Sequence, residues 1–186
     1  MQESRTKILN MKTKKNWYVI TGAPSSGKTT IIKLLEKRGY KVVYEVARIF
    51  IGQGLREGKT IQEIRRDEGD FQRKVLDLKI HHENKLNPKR ITFLDRAIPD
   101  SIAYYELLGL PIDKYLDNAT KKTSYKKIFF FEKLEFKKDY ARIESKKAVE
   151  RLEKLLKKAY ENLPFPIIKV PKMSVGKRVK FILDNL

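Results

Sequence analysis

The sequence predicts an α/β fold in which a parallel sheet is covered by helices on both faces. Three observations predict it. Short apolar runs alternate with longer amphipathic ones along the chain, and strands joined by helical crossovers run parallel with both faces buried. The first apolar run, Trp17–Thr21, passes directly into a glycine-bounded loop and then into an amphipathic helix. The 186 residues, 41% of them hydrophobic, suffice for one domain with a substantial core.

Trp17–Thr21 (WYVIT) reads as a buried strand ended by a glycine. Thr29–Arg38 follows as a helix with Ile31, Ile32, Leu34 and Leu35 on its core side and Gly39 as its stop. Lys41–Tyr44 is a second strand and Ala47–Gly54 a short helix. Gly52, Gly54 and Gly58 separate that helix from a long polar one over 61–86, which Pro88 ends. Arg90–Leu94 is the third strand, Ile98–Leu108 a helix stopping at Gly109, and Ile112–Ala119 a short helix. Lys127–Phe131 is the fourth strand, Lys146–Asn162 a basic helix, Phe165–Val170 the fifth strand and Val175–Leu186 the closing helix. The expected organisation is a mobile basic tail over 1–15 and a single domain over 16–186, with a helical insertion at about 46–89. Met11 is a second candidate start.

Charge and composition exclude several classes. With no cysteine there is no disulfide framework, thiolate metal site or Cys nucleophile. No apolar run reaches the ~18 residues of a membrane span and MQESRTKILN lacks a signal-peptide core, so a cytoplasmic protein is expected. The 42 Lys and Arg against 23 Asp and Glu give a net charge of +19, unevenly spread. Lys121–Lys158 holds fourteen basic and six acidic residues, and Lys169–Lys180 five basic and none acidic. Such a surface attracts polyanions, acidic lipid or RNA among them, or is simply a solvated Lys-rich face. His81 and His82 make a poor metal site, since adjacent helical residues do not converge.

Gly22-Ala23-Pro24-Ser25-Ser26-Gly27-Lys28-Thr29 matches G-x-x-x-x-G-K-[ST] without a gap. The two glycines let the backbone turn tightly, so that successive N–H groups converge on phosphate oxygens, and the following helix adds its N-terminal dipole. Lys28 is expected at the β- and γ-phosphates, Thr29 on Mg²⁺ and Thr30 near the α-phosphate. The implied ligand is a nucleoside triphosphate, and the fold sharpens to a three-layer P-loop NTPase. A guanine-reading N-K-x-D after the fourth strand is missing; Asn84-Lys85-Leu86-Asn87 ends in the wrong residue and precedes the third strand.

The third strand ends in Asp95-Arg96-Ala97-Ile98-Pro99-Asp100-Ser101. An Asp at the C-terminal end of a buried strand suits a Mg²⁺-water ligand, because open α/β sheets bind ligands at that edge; the alternative is a helix N-cap. An Arg directly after it holds an acceptor or a transferred phosphoryl group, or forms a salt bridge. Asp95-Arg96 in this position looks like that of small-molecule kinases of the nucleoside and nucleotide class. Glu45 ends the second strand, with Arg48 one helical turn on. A carboxylate there takes the proton of an acceptor hydroxyl and the arginine binds an anionic group, unless Glu45 is only a helix N-terminal acid. Asp100 joins Glu45, Arg48 and Arg96 as an expected acceptor-site residue. Tyr104, Tyr105 and Leu108 wall that site or pack the core.

The ordered set V-I-T-G-A-P-S-S-G-K-T-T from Val19, Y-E-V-A-R at 44–48, L-D-R-A-I-P-D-S-I-A-Y-Y at 94–105 and F-F-E-K-L-E-F-K-K-D-Y-A-R at 130–142 resembles the NadR-like P-loop ATPases, over roughly Trp17–Leu183. That family includes nicotinamide riboside kinase domains and a eukaryotic branch of nucleotide- and phosphoinositide-binding trafficking proteins. The resemblance implies ATP and Mg²⁺, a kinase-like strand order 2-3-1-4-5 and a lid over about 132–145 after the fourth strand. It puts Glu45 and Arg48 at the acceptor, Asp95 on the metal, Arg142 on the transferring phosphoryl group and Pro171–Val175 beside the adenine. The leading expectation is a kinase transferring the ATP γ-phosphoryl group to a hydroxyl of a nucleoside-like acceptor. The alternatives are a nucleotide-dependent regulatory ATPase or GTPase acting on anionic lipid or RNA, and a polynucleotide kinase. The sequence carries no signal for oligomeric state.

Overall fold

A computed structural model describes residues 15–133 and 146–186. Its elements are β1 (Trp17–Gly22), α1 (Lys28–Lys37), β2 (Lys41–Val43), α2 (Val46–Arg56), α3 (Ile61–Ile64), α4 (Glu68–Asn84), β3 (Thr92–Asp95), α5 (Asp100–Leu108), α6 (Lys114–Lys121), β4 (Lys127–Phe131), α7 (Lys146–Glu161), β5 (Ile167–Val170) and α8 (Val175–Asp184). The five strands form one parallel sheet in the order β2-β3-β1-β4-β5, with β1 between β3 and β4. This is the expected P-loop kinase-like topology.

Period-2 alternation along the central strand assigns the two faces. Tyr18 and Ile20 point to one side, where they pack with Ile31, Ile32 and Leu35 of α1 and Val179 and Ile182 of α8. Trp17 and Val19 point to the other, against Leu94, Ile128 and Tyr160 of α7. On that side Ala103 of α5 meets Leu152 and Leu156 of α7 over Phe130. Next to it, Val46 and Ile51 of α2 pack with Phe71 and Val75 of α4. β1 is buried from end to end, which is why it reads as a continuous apolar run rather than an alternating one.

One expected element is corrected. The long helix over 61–86 is two helices, because two N-caps compete for it. Thr60 caps α3 in a capping box with Glu63, and the Asp67 carboxylate then accepts the Asp70 N–H at 2.8 Å to start α4. Other boundaries shift by one or two residues at helix and strand ends. Among the described residues no helix is long and apolar enough to cross a membrane. Residues 1–14 of the expected 1–15 tail and residues 134–145 of the expected lid, Arg142 included, lie outside the described residues.

Candidate functional site

The parallel order brings Gly22, Val43, Asp95, Phe131 and Val170 to one edge of the sheet. The loop leaving β1 needs a glycine at its start. A Cβ on Gly22, whose φ is +132°, would stand 2.6 Å from the Phe131 carbonyl oxygen, so β4 closes directly against the loop. Ser25 and Gly27 also take positive φ, 63° and 85°, and turn the chain into α1. Lys28 lies inside this turn with its ammonium donating to the carbonyls of Gly22 at 3.0 Å and Ala23 at 2.8 Å and to the Ser26 hydroxyl at 3.1 Å. Burial pulls its pKa from 10.5 to about 7, with Arg96 adding to the effect and Asp95, Glu45 and Asp100 opposing it. Thr30 is exposed at the next position of α1.

Across the β1–β3 pair, Ile20 is level with Asp95, which sets the carboxylate beside the loop. The Thr29 hydroxyl and Asp95 Oδ2 are 3.5 Å apart, and Asp95 Oδ1 is buried with no hydrogen-bond partner. Burial, reinforced by Glu45, raises the Asp95 carboxyl to about 7 against the pull of Lys28 and Arg96. An orphaned carboxylate oxygen next to a hydroxyl, at the mouth of a phosphate-type loop, is a fitting oxygen donor set for Mg²⁺. That ion is commonly held by one or two carboxylates together with substrate phosphates and water. Among the described residues no cluster of three His, Asp or Glu forms, and such a site needs none.

Arg96 organises the remainder. It occupies the left-handed region at φ 66°, a conformation that costs a non-glycine residue about 1–2 kcal/mol. The sharp turn anchors its N–H on the Ile20 carbonyl and sends the guanidinium back between two carboxylates. Nε donates to Glu45 at 2.9 Å and NH1 to Asp100 at 2.9 Å, with the ring of Tyr104 5.5 Å from the guanidinium carbon. Arg48 donates to the other Glu45 oxygen at 3.0 Å. Burial would raise the Glu45 carboxyl, but Arg96, Lys28 and Arg48 outweigh it and hold the group below the ordinary carboxylate range.

Asp100, expected to face an acceptor, does something else. It is 0% exposed, and four donors use its two oxygens: Thr21, Arg96, the Ala97 N–H and Tyr160. It is a brace beneath Arg96 and the loop. Of the three expected wall residues, Tyr105 is core, Tyr104 lies beside Arg96, and Leu108 is exposed. Thus Lys28, Thr29, Glu45, Arg48, Asp95 and Arg96 share one sheet edge. The three cations there face the carboxylates of Glu45, Asp95 and Asp100, so the site itself is charge-balanced and absorbs little of the +19.

Three contributors escaped the sequence reading. Thr21 and Tyr160 complete the Asp100 brace. Arg178 of α8 is 2% exposed and donates from NH1 to the Ser26 carbonyl at 2.7 Å and from Nε to the Pro171 carbonyl at 3.2 Å. Its one sequence signal is position: 178 shares the phase of Val179 and Ile182, the buried apolar face of α8.

A sequence profile of the AAA domain family matches residues 17–178. The chain belongs to the AAA domain family. No protein of curated function matches this AAA domain by sequence. Among solved structures it is similar to deoxyadenosine kinase from M. mycoides with products dCMP and dCDP bound, at TM-score 0.67 and 14% identity, covering 91% of this chain and 97% of that one. Thymidylate kinase from Ehrlichia chaffeensis gives TM-score 0.65 and 15% identity, with coverages of 91% and 97%. NadR in complex with NR gives TM-score 0.67 and 14% identity over 92% of this chain but 48% of that one, so the AAA domain spans about half of NadR. At these identities the likeness fixes the fold, and the resemblance to NadR is a distant one.

Proposed function

We propose that this AAA domain is a small-molecule kinase that transfers the γ-phosphoryl group of ATP to a hydroxyl of a nucleoside-like acceptor. The observation that carries the reading is the Glu45–Arg48–Arg96 constellation, set one strand beyond a complete phosphate loop at the same sheet edge. A protein that only bound nucleotide would have no use for a carboxylate held ionised by two guanidiniums at that place. Kinship of fold with deoxyadenosine kinase, thymidylate kinase and NadR supports the choice of acceptor class.

In this reading Gly22–Thr30 cradle the triphosphate, and Lys28 exchanges loop carbonyls for β- and γ-phosphate oxygens. Thr29 and Asp95 would hold Mg²⁺, which would supply neutralisation of the phosphate charge. Glu45 accepts a hydrogen bond from the acceptor hydroxyl and aims its oxygen at the γ-phosphorus. The new O–P bond forms as the bond to the β-phosphate oxygen breaks, ADP leaves, and the hydroxyl proton passes to Glu45. A carboxylate with a lowered pKa is a weak base, which suffices because in a loose transition state the hydroxyl becomes acidic only late. Arg96 and Arg48 keep Glu45 ionised and face the anionic groups. Arg142 is assigned to the transferring phosphoryl group by the NadR-like resemblance alone. The expected placement in the cytoplasm agrees with a soluble metabolite as acceptor.

The test is acceptor-dependent ADP release with a panel of nucleosides, sugars, nucleotides and oligonucleotides, with the product weighed by mass spectrometry. A nucleoside gaining one phosphoryl group is the expected result, and Glu45→Gln should bind ATP yet transfer about 10²–10⁴-fold more slowly. Tight ATP binding without transfer to any acceptor overturns the kinase reading. It would favour the nucleotide-dependent regulator, for which the unabsorbed basic surplus of 121–158 speaks.

A further inference from the structure

The strand order gives the phosphate loop two sides. Glu45 and Arg96, assigned to the acceptor, and Asp95, assigned to the metal, lie on the β2–β3 side of the phosphate loop. On the opposite side, over the C-terminal ends of β4 and β5, stand Phe131–Lys133 and Pro171–Ser174, where the NadR-like resemblance puts the adenine. Arg178 lies beneath that region and joins its two halves. One nitrogen holds the Ser26 carbonyl of the phosphate loop and another the Pro171 carbonyl of the loop after β5. Pro171 is followed by Lys172, whose N–H donates to the Glu132 carboxylate at 3.1 Å, so the same node reaches the chain leaving β4.

Stability alone does not account for an arginine here. Among the described residues no carboxylate pairs with it; its guanidinium carbon lies 5.5 Å from the Phe131 ring, and its NH2 is buried with no hydrogen-bond partner. Burial draws its pKa below the ordinary guanidinium value. A buried cation satisfied only in part costs free energy, and an apolar side chain of similar length would fill the α8 stripe more cheaply. What arginine supplies is geometry. In an anion-binding loop successive N–H groups turn toward the ligand, and a charged donor on the Ser26 carbonyl fixes the orientation of the 26–27 peptide and so of the Gly27 N–H. It also polarises that peptide, making the Gly27 N–H a stronger donor.

We propose that Arg178 is a positioning residue that couples the base side of the nucleotide site to the phosphate loop, so that a nucleobase settling on Pro171–Ser174 strengthens the grip on the triphosphate. The inference rests on the nucleotide reading given above, and its test separates the two. Binding of ATP and of inorganic tripolyphosphate, each with Mg²⁺, is measured by calorimetry for wild type, Arg178→Met and Arg178→Lys, alongside thermal unfolding. In wild type ATP binds more tightly than tripolyphosphate. In Arg178→Met that ratio falls by about tenfold, and Arg178→Lys, which keeps the charge but not the two-carbonyl fork, recovers only part of it. Amide exchange adds a readout that needs no variant: adenosine, which carries no phosphate, slows exchange over residues 22–29 of the wild type. This carries the test if Arg178→Met does not fold. A wild-type ratio retained in both variants, both affinities falling by one common factor, or no response of residues 22–29 to adenosine overturns the coupling. A wild type that binds neither ATP nor tripolyphosphate overturns the nucleotide reading, and the coupling falls with it.

Discussion

Replacing Asp100 by asparagine tests the brace under the site, because the change preserves shape while removing a charge and one acceptor. The carboxylate takes Thr21 and Arg96 on Oδ1 and the Ala97 N–H and Tyr160 on Oδ2. An asparagine keeps its oxygen toward Arg96 at the expense of aiming an NH₂ group at the Ala97 N–H, a donor facing a donor. Tyr160 can rotate its hydroxyl to accept; the backbone amide cannot. The cost has two parts: an orphaned buried N–H, at about 1–3 kcal/mol, and a weakened charge pair for Arg96, which keeps Glu45. Together these approach the roughly 3–5 kcal/mol seen when a buried pair loses one partner. For a chain of this length that corresponds to a fall of about 6–20 °C in melting temperature. Urea unfolding of wild type and Asp100→Asn, with unchanged slopes, gives the difference directly. A loss below about 1 kcal/mol would refute the brace and return Asp100 to the acceptor site.

Other perturbations probe separate parts of the site. Gly22→Ala must move the Phe131 carbonyl, which its Cβ would approach to 2.6 Å at φ +132°, and should lose about 1–3 kcal/mol in urea unfolding together with ATP affinity. Asp95→Asn removes a buried carboxylate whose Oδ1 has no hydrogen-bond partner and which Glu45 repels, so its melting temperature should equal or exceed that of wild type while Mg²⁺-dependent transfer falls about a hundredfold or more. Glu83 accepts from Tyr125 at 2.9 Å and from the Ile98 N–H at 3.2 Å, and burial raises its carboxyl from 4.5 to about 7. Between those values the folded chain holds a proton that the unfolded chain has released. Its contribution is therefore complete below about pH 4.5 and is lost as pH rises through 7, by up to roughly 3 kcal/mol. The difference in stability between wild type and Glu83→Gln, measured from pH 4.5 to 8, should decline over that window; a flat difference contradicts it.

The central part of the fold was legible because local and global signals coincide there. Trp17–Gly22 is apolar on both faces since both faces are covered, and the loop that follows places glycines at 22 and 27, where φ is positive. The order of the strands came from resemblance, not periodicity, since alternation of strand and helix leaves neighbours unspecified. The helical region over 61–86 misled because its charges are continuous in sequence, while the break depends on which of two capping residues wins locally. Within it, Gln72, Lys79 and Glu83 are buried beside Phe71, Val75 and Leu76, so polarity concealed a core face. Asp100 sits in a motif that suggests an acceptor ligand, and only Thr21 and Tyr160, distant in sequence, reveal it as a brace. Arg178 was hidden in the basic run from 169 to 180, where net charge suggested surface and helix phase dictates burial.

The most direct measurement is the thermal stability of wild type and Lys28→Ala with and without ATP and Mg²⁺. At a ligand concentration of 100 Kd, binding to the folded state alone adds about 2.7 kcal/mol. A triphosphate site at Gly22–Thr30 therefore predicts a rise of roughly 5–11 °C in the wild type. Lys28→Ala, lacking the buried ammonium at the centre of the cradle, should show none at the same concentration. An equal rise in both proteins, or no rise in the wild type at any ATP concentration, would contradict the assignment of the phosphate loop.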